Sequence, residues 1–261
     1  MSDRVIVITG ASAGIGAALA EIVAKRGYKP VLLARREKEL REVAARCGTS
    51  AEIFVTDVTK RSDVERARDA AIARFGHIDV WVNNAGRGIS RNVSELTDGD
   101  IDDMILVNVK SALYGMQAAL PHFKERGKGH IINVSSLLGR VPFAPIRSAY
   151  SASKHALNAL TANLRMELRA THPAIHVSSV HPGVVATEFG INALHGGFDS
   201  RQLPNAQDVG EVATVIADVI EKPRADVYTR PDAQQMIAGY YAAEDMAKAE
   251  EGFGPPPGAR R

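Results

Sequence analysis

The sequence is short of cysteine, of long apolar runs and of charge of one sign. One cysteine, Cys47, stands among 261 residues. An intramolecular disulfide is therefore impossible and a multi-cysteine zinc site is excluded, which fits a reducing compartment. No apolar stretch approaches the roughly 20 residues that span a bilayer. The opening residues Met-Ser-Asp-Arg-Val carry no basic segment followed by an apolar run, so no signal peptide is read and a cytoplasmic location is expected. Lys and Arg number 32 against 30 Asp and Glu, a net charge of +2 spread along the chain. A nucleic-acid binder more often shows a basic stripe, so neither nucleic acid nor membrane is an expected partner.

What is present is a regular alternation. Short β-branched runs at Val5–Thr9, Pro30–Ala34, Glu52–Val55, Val80–Asn83, His130–Val134, His176–Val180 and Asp226–Thr229 read as strands. Several are apolar almost throughout, the pattern of strands covered on both faces. Between them lie helix-like segments at Ile15–Arg26, Glu37–Cys47, Ser62–Phe75, Gly99–His122, Ala149–Ala170 and Asp208–Glu221. Strands alternating with helices of this length predict right-handed βαβ units in one doubly wound α/β domain, with a parallel sheet of about seven strands and helices on both faces. The domain is expected over residues 1–249, and residues 250–261, with Pro255, Pro256 and Pro257, read as a flexible tail. A further helix with an apolar stripe is expected over Pro231–Glu251, covering either its own core or a neighbour's pocket.

The first strand runs into Thr9-Gly10-Ala11-Ser12-Ala13-Gly14-Ile15-Gly16 and then an Ala-rich helix. Glycines there permit a tight turn and leave bare backbone that a pyrophosphate can approach at a helix N-terminus. The spacing Gly-x-x-x-Gly-x-Gly differs from the commoner G-x-G-x-x-G, and no Lys-Ser or Lys-Thr follows to make a P-loop. It resembles the cofactor loop of the short-chain dehydrogenase/reductase family, in its form of about 250 residues. Further motifs of that family follow in order along the chain. Asp57-Val58 stands after the third strand, Asn83-Asn84-Ala85-Gly86 closes the fourth, and Asn108 lies on the next helix. Asn133-Val134-Ser135-Ser136 ends the fifth strand, Tyr150-Ser151-Ala152-Ser153-Lys154 opens the long helix, and His181-Pro182-Gly183 precedes Thr187. Six tyrosines and ten lysines in the chain make about 0.2 Tyr-x-x-x-Lys spacings expected by chance, and this one falls where the family has it.

The resemblance implies a Rossmann-type fold and a reversible hydride transfer between a nicotinamide and a carbonyl or secondary alcohol. Tyr150 would be the acid–base group, Ser136 (Ser135 in reserve) the hydrogen-bond donor to the substrate oxygen, Lys154 the partner of both tyrosine and ribose, and Asn108 the holder of a relay water. Residues four apart share a helix face, so Lys154 is expected to lower the phenol pKa. The cofactor would lie on Gly10, Ser12, Ala13, Gly14, Ile15 and Gly16, then on Arg35 and Arg36, Asp57 and Val58, Asn84, Ala85 and Gly86. At the nicotinamide end, Tyr150, Lys154, Pro182, Gly183 and Thr187 would hold it. Asp57 reads equally as a helix cap, and His181 reads as structural. Where NAD-binding relatives of this fold place an acid after the second strand, this chain has Arg35-Arg36, which argues for NADP(H) over NAD(H) because a guanidinium pairs with a 2′-phosphate. Two solvated arginines opening a helix are the alternative.

The spacing from Ser136 to Tyr150 is one residue longer than in many relatives, with the extra residue placed in the loop 140–148. The segment 184–205 is expected to be a mobile lid over a small-molecule substrate. The Ala-rich helices match those through which family members form homodimers or homotetramers. A non-catalytic NADP-binding sensor or scaffold is the alternative, and it would be expected to lack one of Ser136, Tyr150 and Lys154. A nucleotide-sugar epimerase fits poorly, since such chains are longer with a Gly-x-x-Gly-x-x-Gly loop.

Overall fold

The computed structural model describes residues 3–253, so most of the expected tail, including its three prolines, lies outside the described residues. Seven parallel strands form one sheet: β1 (Val5–Thr9), β2 (Lys29–Ala34), β3 (Glu52–Val55), β4 (Val80–Asn83), β5 (Gly129–Val134), β6 (Ile175–His181) and β7 (Asp226–Tyr228). Their order is β3-β2-β1-β4-β5-β6-β7. The order reverses between β1 and β4, and such a switch point opens a crevice at the carboxyl ends of the strands.

Strand periodicity divides the core into two layers. Ile6, Ile8, Leu32, Val82 and Ile132 face α1 (Gly14–Lys25), α2 (Glu37–Cys47) and a later helix over Val209–Glu221. Val5, Val7, Val31, Trp81 and Ile131 face α3 (Arg61–Phe75) and two long helices on the opposite side. Cys47 belongs to the first layer, where burial pushes its thiol up to about 11.

The expected helix 99–122 is instead α4 (Asp98–Ile105), a π turn over Leu106–Lys110, and α5 (Ser111–Arg126). The π turn widens the ring to five residues, and the Ser111 hydroxyl donates to the Val107 carbonyl at 2.5 Å. After it come α6 (Ser148–Thr171), α7 (Val209–Glu221), α8 (Ala233–Tyr241) and α9 (Met246–Glu250). The single C-terminal helix of the sequence reading is thus two, because Asp245 caps a new start by accepting from the Ala247 amide at 3.0 Å. These helices pack on their own chain. The Tyr241 hydroxyl donates to the Arg140 carbonyl at 2.6 Å, and the Phe253 ring lies 6.0 Å from Phe143. Of the described residues at the start of the expected tail, Glu250 accepts from the Tyr240 hydroxyl at 3.0 Å and the Phe253 ring lies against those of Phe143 and Tyr240.

A buried polar network ties α5 and α6 beneath the crevice. Trp81 Nε1 donates to Asn83 Oδ1 at 2.8 Å, Asn83 Nδ2 to Asn133 Oδ1 at 2.8 Å, and Asn133 Nδ2 to Thr161 at 2.9 Å. Gly115 on α5 lets the helix approach this network. A methyl group there would land on Asn83 Oδ1 and Trp81 Nε1. Gly115→Ala is expected to cost about 2–3 kcal/mol in urea denaturation through overpacking. A loss within the ~0.5 kcal/mol of ordinary surface changes would contradict this packing.

Candidate active site

The glycine turn is shaped by the strand beside it. Gly10 and Gly14 take positive φ of 67° and 55°. A Cβ on Gly10 would stand 2.9 Å from Ala85 Cα, and one on Gly16 would stand 2.6 Å from Asn84 Nδ2 and strike the Gly10 carbonyl. Asn84 fastens the turn, its Nδ2 donating to the Thr9 carbonyl at 2.9 Å, while the Thr9 hydroxyl accepts from the amides of Asn84 and Ala85, each at 3.0 Å. Ala13 offers α1 no side-chain cap and the first turn holds no acid. The first-turn amides thus have no side-chain cap and no acid beside them.

At the end of β2 the two arginines diverge. Arg36 donates to Ser12 Oγ at 3.0 Å and lies 3.5 Å from Glu39, whereas Arg35 acts on Asp57. Burial opposes ionisation of Asp57, but hydrogen bonds from Thr59 at 2.7 and 3.1 Å and the charge of Arg35 hold its carboxyl below the ordinary range. Asp57 does not cap α3. Its carboxylate closes a local turn on Thr59, and the cap position is Lys60.

A cavity of about 840 Å³ runs from this end along the carboxyl edge of the sheet. Gly10, Ser12, Ala13, Gly14, Ile15, Arg35, Arg36, Asp57, Val58, Asn84, Ala85, Gly86, Ser136, Tyr150, Lys154, Pro182, Gly183 and Thr187 all line it. Two expected residues lie behind its wall. Gly16 serves the packing of α1 on the turn. Asn108, in the π turn, accepts from the Arg87 amide at 2.9 Å and donates to the Arg87 carbonyl at 2.9 Å and to Ser153 at 3.1 Å. These bonds fasten its side chain to the loop beside Lys154.

Tyr150 lies on the first turn of α6, buried among Ile89, Met104, Leu138 and Leu194. Burial pushes its phenol up to about 12, opposed by the hydrogen bond with Ser136 and by the charge of Arg147. The Lys154 ammonium lies 5.7 Å from the Tyr150 ring centre and donates to the Val134 carbonyl at 2.9 Å, and burial brings it down to about 8. Lys154 is turned to the end of β5, and the cation acting on the phenol is Arg147, one turn earlier. Of the serine pair, Ser136 faces Tyr150 and also accepts from the Leu138 amide at 3.1 Å, while the buried Ser135 hydroxyl has no hydrogen-bond partner. His181 is fully buried beneath, 3.1 Å from Asp226, and points away from the cavity.

The segment 184–205 crosses the open side. It is joined to the loop before α4 by a bridge between Ile89 and Leu194, and to α4 itself by His195, whose Nε2 is 2.7 Å from Asp100. The sequence places Phe189 in the expected lid, but shows neither its ring contact with Tyr150 nor the charge of Arg147 on that phenol. Arg147 had a signal, its position three residues before Tyr150; Phe189 had none, since its segment follows no helical or strand period.

No helix among the described residues is long and apolar enough to cross a membrane. A parallel doubly wound sheet whose switch-point cavity joins a glycine turn to Tyr150, Ser136 and Lys154 defines a Rossmann-type α/β protein of the oxidoreductase kind. The chain belongs to the short-chain dehydrogenase family, whose model, described as short chain dehydrogenase, matches residues 4–195. An uncharacterized oxidoreductase of Staphylococcus epidermidis is 38% identical over 187 residues, 72% of this chain and 80% of the relative. A short chain dehydrogenase/reductase from Burkholderia phymatum, solved in complex with NAD, superposes with a TM-score of 0.85 at 27% identity, covering 97% of this chain and 98% of the other. An alcohol dehydrogenase from Thermococcus sibiricus, complexed with 5-hydroxy-NADP, gives 0.75 at 28% identity over 87% and 96% of the two chains.

Proposed function

We propose that the protein is an NADP(H)-dependent oxidoreductase that interconverts a carbonyl compound and a secondary alcohol with Ser136, Tyr150 and Lys154. The observation that carries this reading is the single cavity that brings the glycine turn and these three side chains together. The residues suit a dinucleotide. The uncapped start of α1 offers amides to the pyrophosphate, and a Cβ on Gly14 would meet only Thr187, at 3.4 Å, so bare backbone faces the cavity there. Asp57 and Val58 would border the adenine, and Pro182, Gly183 and Thr187 the nicotinamide.

When bound, the nicotinamide supplies or accepts the hydride. The chain handles the proton. In reduction the Tyr150 hydroxyl, held protonated by its burial, donates to the substrate oxygen, and in oxidation it takes that proton back. Ser136 hydrogen-bonds the same oxygen and steadies its developing charge. Lys154 would bind the ribose hydroxyls from behind Tyr150, and Asn108 would fix the loop 86–88 against it. The segment 184–205 covers the substrate side, and its mobile parts would flank the anchor at Leu194 and His195.

Arg35 and Arg36 would meet the ribose 2′-phosphate from two sides. NADPH is expected to bind at least about tenfold more tightly than NADH, as a charge-assisted bidentate contact adds roughly 1.5–3 kcal/mol. The double variant Arg35→Ala/Arg36→Ala is expected to lose that preference while keeping its affinity for NADH. Fluorescence titration of both cofactors checks this, and equal dissociation constants in the wild type would contradict it. Cofactor oxidation across a panel of ketones and aldehydes tests the reaction itself.

A further inference from the structure

Aromatic residues make up only 5% of the chain, yet three of its seven phenylalanines, Phe143, Phe189 and Phe198, line the cavity that holds Tyr150. Leu137, Leu138 and Ile146 extend the same wall. The Phe189 ring stands 5.5 Å from that of Tyr150, edge toward face at 61°. Its Cε1 is 2.9 Å from where a Cβ on Gly88 would begin, so Phe189 bridges the opening between Tyr150 and the loop after β4. Phe198 is 71% exposed. Open apolar surface inside a concave site is recovered when an apolar ligand covers it.

Of the charged groups bordering this part of the cavity, Arg87 and Glu188 are paired with opposite charges and Arg147 is held on backbone. Arg87 pairs with Asp103 at 3.2 Å and Glu188 with Arg201 at 3.1 Å. Arg147 donates to the Ile89 carbonyl at 3.2 Å, and its two terminal nitrogens lie 3.1 Å from the points where side chains on Gly88 and Gly197 would begin. Its guanidinium is wedged between two loops as a brace. An acidic substrate would have to draw Arg87 from Asp103 or Arg147 from the Ile89 carbonyl.

We infer that the substrate is a bulky, uncharged, apolar carbonyl compound or its secondary alcohol, and that Phe189 is the residue that selects it. This rests on the oxidoreductase reading above. Three methyl ketones isolate the variable: acetone, acetophenone and pyruvate differ only in carrying a methyl, a phenyl or a carboxylate. With NADPH, kcat/KM for acetophenone is expected to exceed that for acetone and for pyruvate by about 100-fold, the scale of filling an apolar pocket. In Phe189→Ala the acetophenone-to-acetone ratio falls about tenfold, mainly through KM. A ratio near one, a preference for pyruvate, or a ratio unchanged in the variant would overturn the inference.

Binding gives a reading independent of turnover. Thermal shifts with 1-phenylethanol and with lactate are measured on the protein with and without NADP+. Stabilisation by 1-phenylethanol but not by lactate, reduced in Phe189→Ala, is the supporting result. Equal shifts from the two alcohols overturn the apolar substrate. Failure of NADPH or NADP+ to bind counts instead against the oxidoreductase reading.

Discussion

Tyr150→Phe is expected to bind NADPH as the wild type does and to turn over at least a hundredfold more slowly. The change removes one oxygen and leaves the ring in its apolar cluster with Ile89, Met104, Leu138 and Leu194. Ser136 is not orphaned, because it still accepts from the Leu138 amide at 3.1 Å. Folding and cofactor affinity therefore stay near those of the parent. What is lost is the proton donor, and a positioned general acid contributes about 10²–10⁴ in rate. Steady-state rates together with a fluorescence titration of NADPH separate the two effects. Rates near those of the wild type would refute the role given to Tyr150.

Lys154→Met is expected to lose turnover by a similar factor and yet to be more stable than the parent at pH 7. Burial lowers the ammonium from 10.5 to about 8, so between these values the unfolded chain holds a proton that the folded chain has released. Wild-type stability accordingly rises with pH across that window, and below pH 8 the fold carries the full penalty of a buried charge. At about 1.4 kcal/mol per unit the penalty is about 3 kcal/mol, and losing the donor to the Val134 carbonyl returns about 1 kcal/mol of it. Methionine should therefore gain about 2 kcal/mol at pH 7, and the gain should shrink toward pH 10. Urea denaturation at the two pH values measures it. A variant less stable at pH 7, or a gain unchanged at pH 10, would contradict the burial of an uncompensated ammonium. The lysine is on this account kept for the chemistry at some expense to the fold.

The sheet was legible because its strands are almost continuously apolar, the one pattern that buried parallel strands permit; Val5–Thr9, Glu52–Val55 and Val80–Asn83 fall within the observed bounds. The glycine turn and the Tyr-x-x-x-Lys pair were legible because each needs residues close in sequence. Helical periodicity could not reveal the π turn, since one inserted residue in Leu106–Lys110 shifts the phase without erasing the pattern. The break between α8 and α9 had a signal in Asp245, overshadowed by the apolar stripe on either side. Other features depend on contacts between distant segments. Asn108 meets Arg87 and Ser153, Phe189 meets Tyr150, and Lys154 turns to Val134. Neither spacing nor composition encodes such meetings, and with them the substrate stayed hidden as well.

The most direct test follows a label. A pooled set of ketones and aldehydes is reduced with NADPH deuterated at its transferable position, and the alcohols are read by mass spectrometry. The wild type should place deuterium on the carbinol carbon of at least one product, and Tyr150→Phe should form the same product at least a hundredfold more slowly. Cofactor bound with no label transferred to any carbon, or equal rates in the two proteins, would contradict the account.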